Sequence, residues 1–158
     1  MRKIRVYVDT SVFGGTQDDE FAESSKLFFK QVQQGKFLVL LSTETLRELE
    51  KAPEYVKLFW NNLQSGSVEI LQIDEEMYEL ARSYVNAGIL GKASESDALH
   101  VAAATVTGAD LILSWNFKHI VSFDKIRGFN SVNISQGYRS LTILSPFEVR
   151  YGNQSEDI

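Results

Sequence analysis

Ile4-Arg5-Val6-Tyr7-Val8-Asp9-Thr10-Ser11 is the stretch that decides the fold. Its apolar run stops at a carboxylate, so it reads as a strand with Asp9 at the carboxyl end. Working outward, Phe37 to Leu41 is apolar at every position, the mark of a strand buried on both faces. Leu111 to Leu113 and Leu141 to Leu144 read as two further strands. Val68 to Ile73 reads as another, and its Glu69 and Gln72 put it at an edge. Helical patterns fall between them. Phe21 to Gln34 ends at Gly35, and Glu44 to Glu50 starts from an N-cap at Ser42 and stops before Pro53. Tyr55 to Leu63 is a short helix, and Asp74 caps one that runs to Ala87 and stops at Gly88. An alanine-rich helix runs from Ser94 to Gly108, and a short helical piece covers Phe117 to Phe123. Asn130 to Gly137, rich in Asn, Ser and Gly, reads as a mobile loop. Strands alternating with helices predict an α/β protein with a parallel sheet covered on both faces. Ligands of such sheets bind outside the carboxyl ends of the strands, where the strand order switches.

At roughly 150 residues per domain, a chain of 158 residues predicts one domain, placed here at residues 1–150 with a polar tail at 151–158. Apolar residues make up 44% and charged residues 23%, a balance that excludes a disordered chain. Sixteen Lys and Arg against 21 Asp and Glu give a net charge of −5, which argues against broad coating of nucleic acid. It leaves room for an enzyme that grips nucleic acid through metal ions and a local basic patch. The absence of Cys excludes thiolate metal sites and thiol nucleophiles, and two His (His100 and His119) cannot build a three-His zinc site. No apolar run approaches the ~20 residues of a membrane span. The run behind Met1-Arg2-Lys3 ends at Asp9, too soon for a signal-peptide core, so the expected location is the cytoplasm, with no membrane.

Four polar residues fall where this fold binds ligands. Asp9 ends the first strand, and Glu48 lies on the helix after the second. Asp97 lies in the first turn of the alanine-rich helix, and Asn116 follows the strand that ends at Leu113. Three carboxylates brought together repel unless a cation holds them. A hard divalent ion suits oxygen ligands and keeps positions open for water and phosphate. Each residue also has a plainer reading. Ser94-x-x-Asp97 matches a capping box. Glu44 shares a helix face with Glu48 and rivals it. Asn116 fits a turn. Asp9 is the least ordinary, because a charge ending a central apolar strand is costly unless used or paired.

These residues sit in stretches that resemble a known family. Val6-Tyr7-Val8-Asp9-Thr10-Ser11-Val12 is similar to the opening motif of PIN-domain ribonucleases. Ser42-Thr43-Glu44-Thr45-Leu46-Arg47-Glu48-Leu49 resembles the second motif, whose acid precedes a Leu. Ser96-Asp97-Ala98-Leu99-His100-Val101-Ala102-Ala103-Ala104 resembles the third, and Leu111-Ile112-Leu113-Ser114-Trp115-Asn116 the fourth. The resemblance covers residues 4 to 146, in order and in register. It implies a three-layer α/β/α Rossmann-like PIN fold with a central parallel sheet and an endoribonuclease site dependent on Mg²⁺ or Mn²⁺. Among single-domain relatives it points to VapC-type toxins, which cleave RNA and are neutralised by a small antitoxin; homodimers are common among them. Carried over by position, the catalytic residues are Asp9, Glu48, Asp97 and Asn116, with Asp9, Glu48 and Asp97 as the metal ligands. The motif favours Glu48 over Glu44. Many members have Asp at the fourth position, where Asn116 brings no charge; Asp124 would help if its loop folded back.

RNA needs contacts around this acidic cleft. Ser11, Lys118 and His119 are the candidate substrate-binding residues, and Thr10 with Ser11 could bind a phosphate or orient Asp9. Residues 115–140 hold four basic residues, Lys118, Lys125, Arg127 and Arg139, against one acidic, Asp124. Trp115 or Tyr138 could stack a base, if they are not core aromatics. Glu69, Asp74, Glu75, Glu76 and Glu79 form an acidic cluster that RNA should avoid. Two other readings stay open. An aspartate-nucleophile phosphatase also places an Asp after its first strand, but it needs a second Asp two positions on, where this chain has Ser11. The other is a catalytically weakened PIN domain that binds nucleic acid or protein.

Overall fold

The computed structural model describes residues 2–63 and 67–149; the expected tail at 151–158 lies outside the described residues. Among the described residues five parallel strands form one sheet: β1 (Ile4–Val8), β2 (Phe37–Ser42), β3 (Val68–Leu71), β4 (Leu111–Leu113) and β5 (Thr142–Leu144). Their spatial order is β3-β2-β1-β4-β5. The chain steps outward from β1 to β3 on one side, then resumes with β4 on the other. The switch in strand order therefore falls between β1 and β4, the place where open α/β sheets bind ligands. Asp9 follows β1 there, and its backbone N–H donates to the Leu113 carbonyl at 2.9 Å.

Alternation along the strands divides the core into two layers. Tyr7, Leu40, Ile112 and Ile143 point to one face, under helices α5 (Glu75–Asn86), α6 (Glu95–Val106) and α7 (Phe123–Ser135). Val6, Val8, Val39, Leu41 and Leu113 point to the other, under α1 (Thr10–Gly15), α2 (Ala22–Gln33), α3 (Thr43–Glu50) and α4 (Glu54–Leu63). The result is the expected three-layer α/β/α arrangement. Phe13, Phe28, Phe29 and Phe37 are at most 2% exposed, and burying each contributes roughly 1.5–3 kcal/mol.

Most elements fall where the sequence puts them. β3 is an edge strand, and Ser42 caps α3 in a capping box with Thr45. Three expectations are corrected. Ser94 makes no side-chain cap; Lys92–Ser94 is a short 3-10 turn leading into α6, so Asp97 is not part of a capping box. The helical piece expected at 117–123 is a turn, and the helix begins at Phe123. The expected loop at 130–137 is instead helical as far as Ser135. Buried contacts override its loop-like composition. Phe129 packs edge-on against Tyr84 at 4.9 Å, and buried Asn133 accepts a hydrogen bond from the Tyr84 hydroxyl at 2.5 Å.

Helix α1 carries Gly14-Gly15, which obscures it in the sequence. A Cβ at Gly15 would lie 2.5 Å from the Trp115 indole nitrogen and 2.6 Å from Ser25 Oγ, whereas a Cβ at Gly14 meets nothing within 4 Å. Gly15→Ala is therefore expected to destabilise the chain by about 1–3 kcal/mol through overpacking. Gly14→Ala is expected to be neutral or to stabilise by up to about 1 kcal/mol from helix propensity. Urea unfolding of the two variants checks the contrast.

Candidate active site

The carboxyl edge of the sheet gathers the polar residues. Asp9 is 5% exposed, and its Oδ2 accepts from Ser11 Oγ at 2.7 Å and Ser114 Oγ at 2.8 Å. Ser11 Oγ in turn accepts from the Trp115 backbone N–H at 2.9 Å, so its hydroxyl locks the end of β1 to the end of β4. Glu48 projects from α3. Its Oε1 accepts from Thr10 Oγ1 at 2.7 Å and meets His100 Nε2 at 2.5 Å, and its Oε2 accepts from Ser96 Oγ at 3.1 Å. His100 is fully buried on α6, with Nε2 3.7 Å from Asp9 Oδ1 and Nδ1 2.7 Å from the Tyr7 hydroxyl. Among the described residues, ligand atoms of Asp9, Glu48 and His100 all lie within 4.8 Å of one another.

Asp97 borders this group without joining it. Its Oδ2 is 3.1 Å from His119 Nδ1, and the His119 backbone N–H donates to Asn116 Oδ1 at 2.9 Å. Asn116 thus shapes the turn that presents His119 to Asp97. Glu44 is settled differently. Arg47 grips both its oxygens, at 2.9 and 2.6 Å, and Ser96 Oγ donates to it at 2.6 Å. Glu44 has a permanent counter-cation; among the described residues the one ion-pair partner of Glu48 is His100. Lys118 is exposed, and among the described residues no ion pair engages it. Asp124 is exposed in the first turn of α7, and no contact among the described residues ties it to the group.

The electrostatics follow from these contacts. The Arg47 hydrogen bond holds the Glu44 carboxyl below its ordinary range against the effect of burial. Burial opposes charge on Glu48, but hydrogen bonds from His100, Thr10 and Ser96 outweigh it and bring its pKa down to about 2. Burial also opposes a charged His100. The Tyr7 oxygen and the Glu48 and Asp9 carboxylates prevail, so the imidazole pKa lies well above its ordinary value. Burial and the charge of Asp9 push Asp97 up, against the pull of His119 and His100. The donor set fits a hard divalent ion. Asp9 Oδ2 and Asp97 Oδ2 are anchored, while the Oδ1 of each accepts no hydrogen bond among the described residues. An oxygen-rich group with unspent lone pairs and mutual repulsion is what such an ion relieves.

Several sequence expectations change here. Trp115 is a core aromatic: it is 6% exposed, stacks on Phe21 at 4.0 Å, and donates from its indole to Ser25 Oγ at 2.8 Å. Tyr138 bonds Glu76 at 2.5 Å, and Arg139 lines a cavity with Gly108 and Asp110, ahead of the amino end of β4 and so away from Asp9. Lys125 donates to the Ile89 carbonyl at 2.6 Å, and Arg127 lies 5.4 Å from the centre of the Phe123 ring. The basic residues of 115–140 are thus dispersed and form no single patch. Sequence reasoning missed His100 as part of the group. Its signal was the i+3 spacing from Asp97, which puts both on one helix face. Ser114 had no signal beyond lying next to a motif residue, and Thr10, expected with Ser11 to bind a phosphate or orient Asp9, instead donates to Glu48.

No family model matches the chain, and no curated protein matches it in sequence. Solved structures do match. VapBC2 from Rickettsia felis, bound to a DNA fragment from its promoter, is 12% identical with a TM-score of 0.56, covering 90% of this chain and 98% of that one. FitAcB from Neisseria gonorrhoeae is 15% identical with a TM-score of 0.57, covering 91% and 99%. The Mycobacterium tuberculosis toxin VapC20, which cleaves the sarcin–ricin loop, is 16% identical with a TM-score of 0.54, covering 87% and 98%. The chain has a PIN-domain fold of the VapC type. No helix among the described residues is long and apolar enough to cross a membrane.

The raised pKa of Asp97 has a stability consequence. A carboxyl whose folded pKa exceeds its unfolded one carries no penalty below the ordinary Asp range, about 3.9. The penalty develops as pH rises through the folded value. In EDTA at pH 7, Asp97→Asn is expected to melt above the parent, and to lose that advantage in acid below the ordinary range. Thermal melts across pH check this; equal stability at pH 7 would contradict a cost of burying the Asp97 charge beside Asp9.

Proposed function

We propose that this protein is an endoribonuclease dependent on Mg²⁺ or Mn²⁺, and the toxin of a type II toxin–antitoxin pair. The observation that carries the reading is the meeting of Asp9 and Glu48 at the switch point of a PIN-type sheet, with Asp97 beside them. Asp9, Glu48 and Asp97 would hold the ion. Bound there, it would activate a water for in-line attack on a phosphodiester and stabilise the departing oxygen. The rest of the site orients these carboxylates. Ser11 and Ser114 fix Asp9, Thr10 fixes Glu48, and His119, on the turn shaped by Asn116, fixes Asp97. Exposed Lys118 and the outer edge of His119, whose side chain is 31% exposed, supply contacts for RNA phosphates. The likeness to a VapBC pair supports a small antitoxin as partner, and a homodimer is the proposed assembly. A cytoplasmic setting goes with this reading.

A panel of structured and single-stranded RNAs with Mg²⁺ or Mn²⁺ tests it. Cleavage is expected to stop in EDTA and to fall more than about 100-fold in Asp9→Asn and Glu48→Gln, beyond the usual cost of losing an outer-shell contact. Glu44→Gln, which removes the partner of Arg47, is expected to keep most activity. Expression of the parent in bacteria should arrest growth, and Asp9→Asn should relieve it. No cleavage of any RNA together with no Mn²⁺ binding would favour the binding-module reading, to which the uncharged Asn116 lends weight, whereas Mn²⁺ binding without cleavage would point to a narrow substrate.

A further inference from the structure

We infer that His100 is a positioning residue for the metal site, one that fixes the Glu48 carboxylate without coordinating the ion. The inference rests on the metal reading above. The imidazole is fully buried and both its nitrogens are engaged, Nδ1 with the Tyr7 hydroxyl at 2.7 Å and Nε2 with Glu48 Oε1 at 2.5 Å. The Tyr7 hydroxyl is also 2.7 Å from Ser42 Oγ, at the cap of the helix that carries Glu48. The contacts form a closed circuit: β1 through Tyr7, α6 through His100, and α3 at both Glu48 and its cap. A free Glu side chain samples many rotamers, and this circuit selects one.

Hydrogen-bond accounting separates positioning from coordination. Glu48 Oε1 takes Thr10 Oγ1 and His100, which fills its two lone pairs. Among the described residues Oε2 takes only a share of the Ser96 proton, whose shorter contact is to Glu44, and keeps a lone pair for a cation. At 3.7 Å from Asp9 Oδ1, Nε2 is too distant for a hydrogen bond and leaves that oxygen free. Coordination through Nε2 would require the ring to give up Glu48, the contact that sets the geometry. The same circuit distinguishes the two glutamates of α3. Glu44 is turned to Arg47, and Glu48 is turned to His100.

Mn²⁺ titration followed by electron paramagnetic resonance tests this. His100→Leu is expected to weaken Mn²⁺ binding about 10–100-fold, the usual effect of losing an outer-shell partner. His100→Gln, whose amide can donate to Glu48, should recover most of the affinity. Tyr7→Phe should give a smaller loss and add nothing further in a His100→Leu background. Pulsed resonance on the Mn²⁺-loaded parent should show no directly bound imidazole nitrogen. A directly bound nitrogen overturns the inference, as does unchanged affinity in folded His100→Leu. If that variant does not fold, unchanged affinity in Tyr7→Phe overturns it. A parent that binds no Mn²⁺ overturns the metal reading itself, and this inference with it.

Discussion

Repulsion between carboxylates at one edge of the sheet is the constraint around which the polar part of this molecule is organised. Asp9 is buried, Glu48 and Asp97 are partly buried, and burial together with the charge of Asp9 raises the Asp97 pKa. Leaving them close is unfavourable unless each is hydrogen-bonded or a cation joins them. The chain answers with neutral donors. Ser11 and Ser114 serve Asp9, while Thr10 and Ser96 serve Glu48. His100 adds positive charge where, among the described residues, no Lys or Arg forms an ion pair with Asp9 or Glu48. Hydroxyls and imidazoles hold the carboxylates in place without filling them, as a permanent guanidinium fills Glu44.

The parallel sheet makes this gathering possible. Strands that run the same way end at the same edge, so residues just beyond β1 and β4 become neighbours although more than a hundred positions apart. The register Val8 opposite Leu113 sets Asp9 beside Ser114. The apolar strands beneath are enclosed on both faces, which gives the polar edge a rigid floor. Ser114 and Ser11 then tie the two strand ends across the switch point. Trp115, held by Phe21 and Ser25, closes the apolar side under Gly15.

The strands were readable because each is a short, nearly pure apolar run, and such runs have few alternatives in a parallel sheet. The motif carboxylates were readable because they directly follow those runs or open the next helix. What was hidden depends on contacts distant in sequence. Helix α7 looks like a loop from Asn130 to Gly137, and only its packing on Tyr84 makes it a helix. Helix α1 is hidden by two glycines, one of which exists to admit an indole from β4's far end. His100 sits in an apolar helical face, where a histidine reads as filler. Its role emerges only once Tyr7 and Glu48 arrive from two other elements.

The placement of positive charge bears on how such a site meets a polyanion. The chain carries a net charge of −5, and many of its cations are already engaged. Arg47 serves Glu44, Arg2 serves Asp110, Lys125 serves a carbonyl, and Arg139 lies away from the site edge. Beside the site stand Lys118 and His119. A broad basic track along a nucleic-acid backbone is therefore absent from the described surface around the carboxylates. On the proposed reading, recognition through so few phosphate contacts would put little weight on charge and much on shape, and would make the carboxylate group with its proposed ion the main anchor for the strand. On that reading a negative chain would avoid indiscriminate RNA binding while keeping one place where a phosphate could be held.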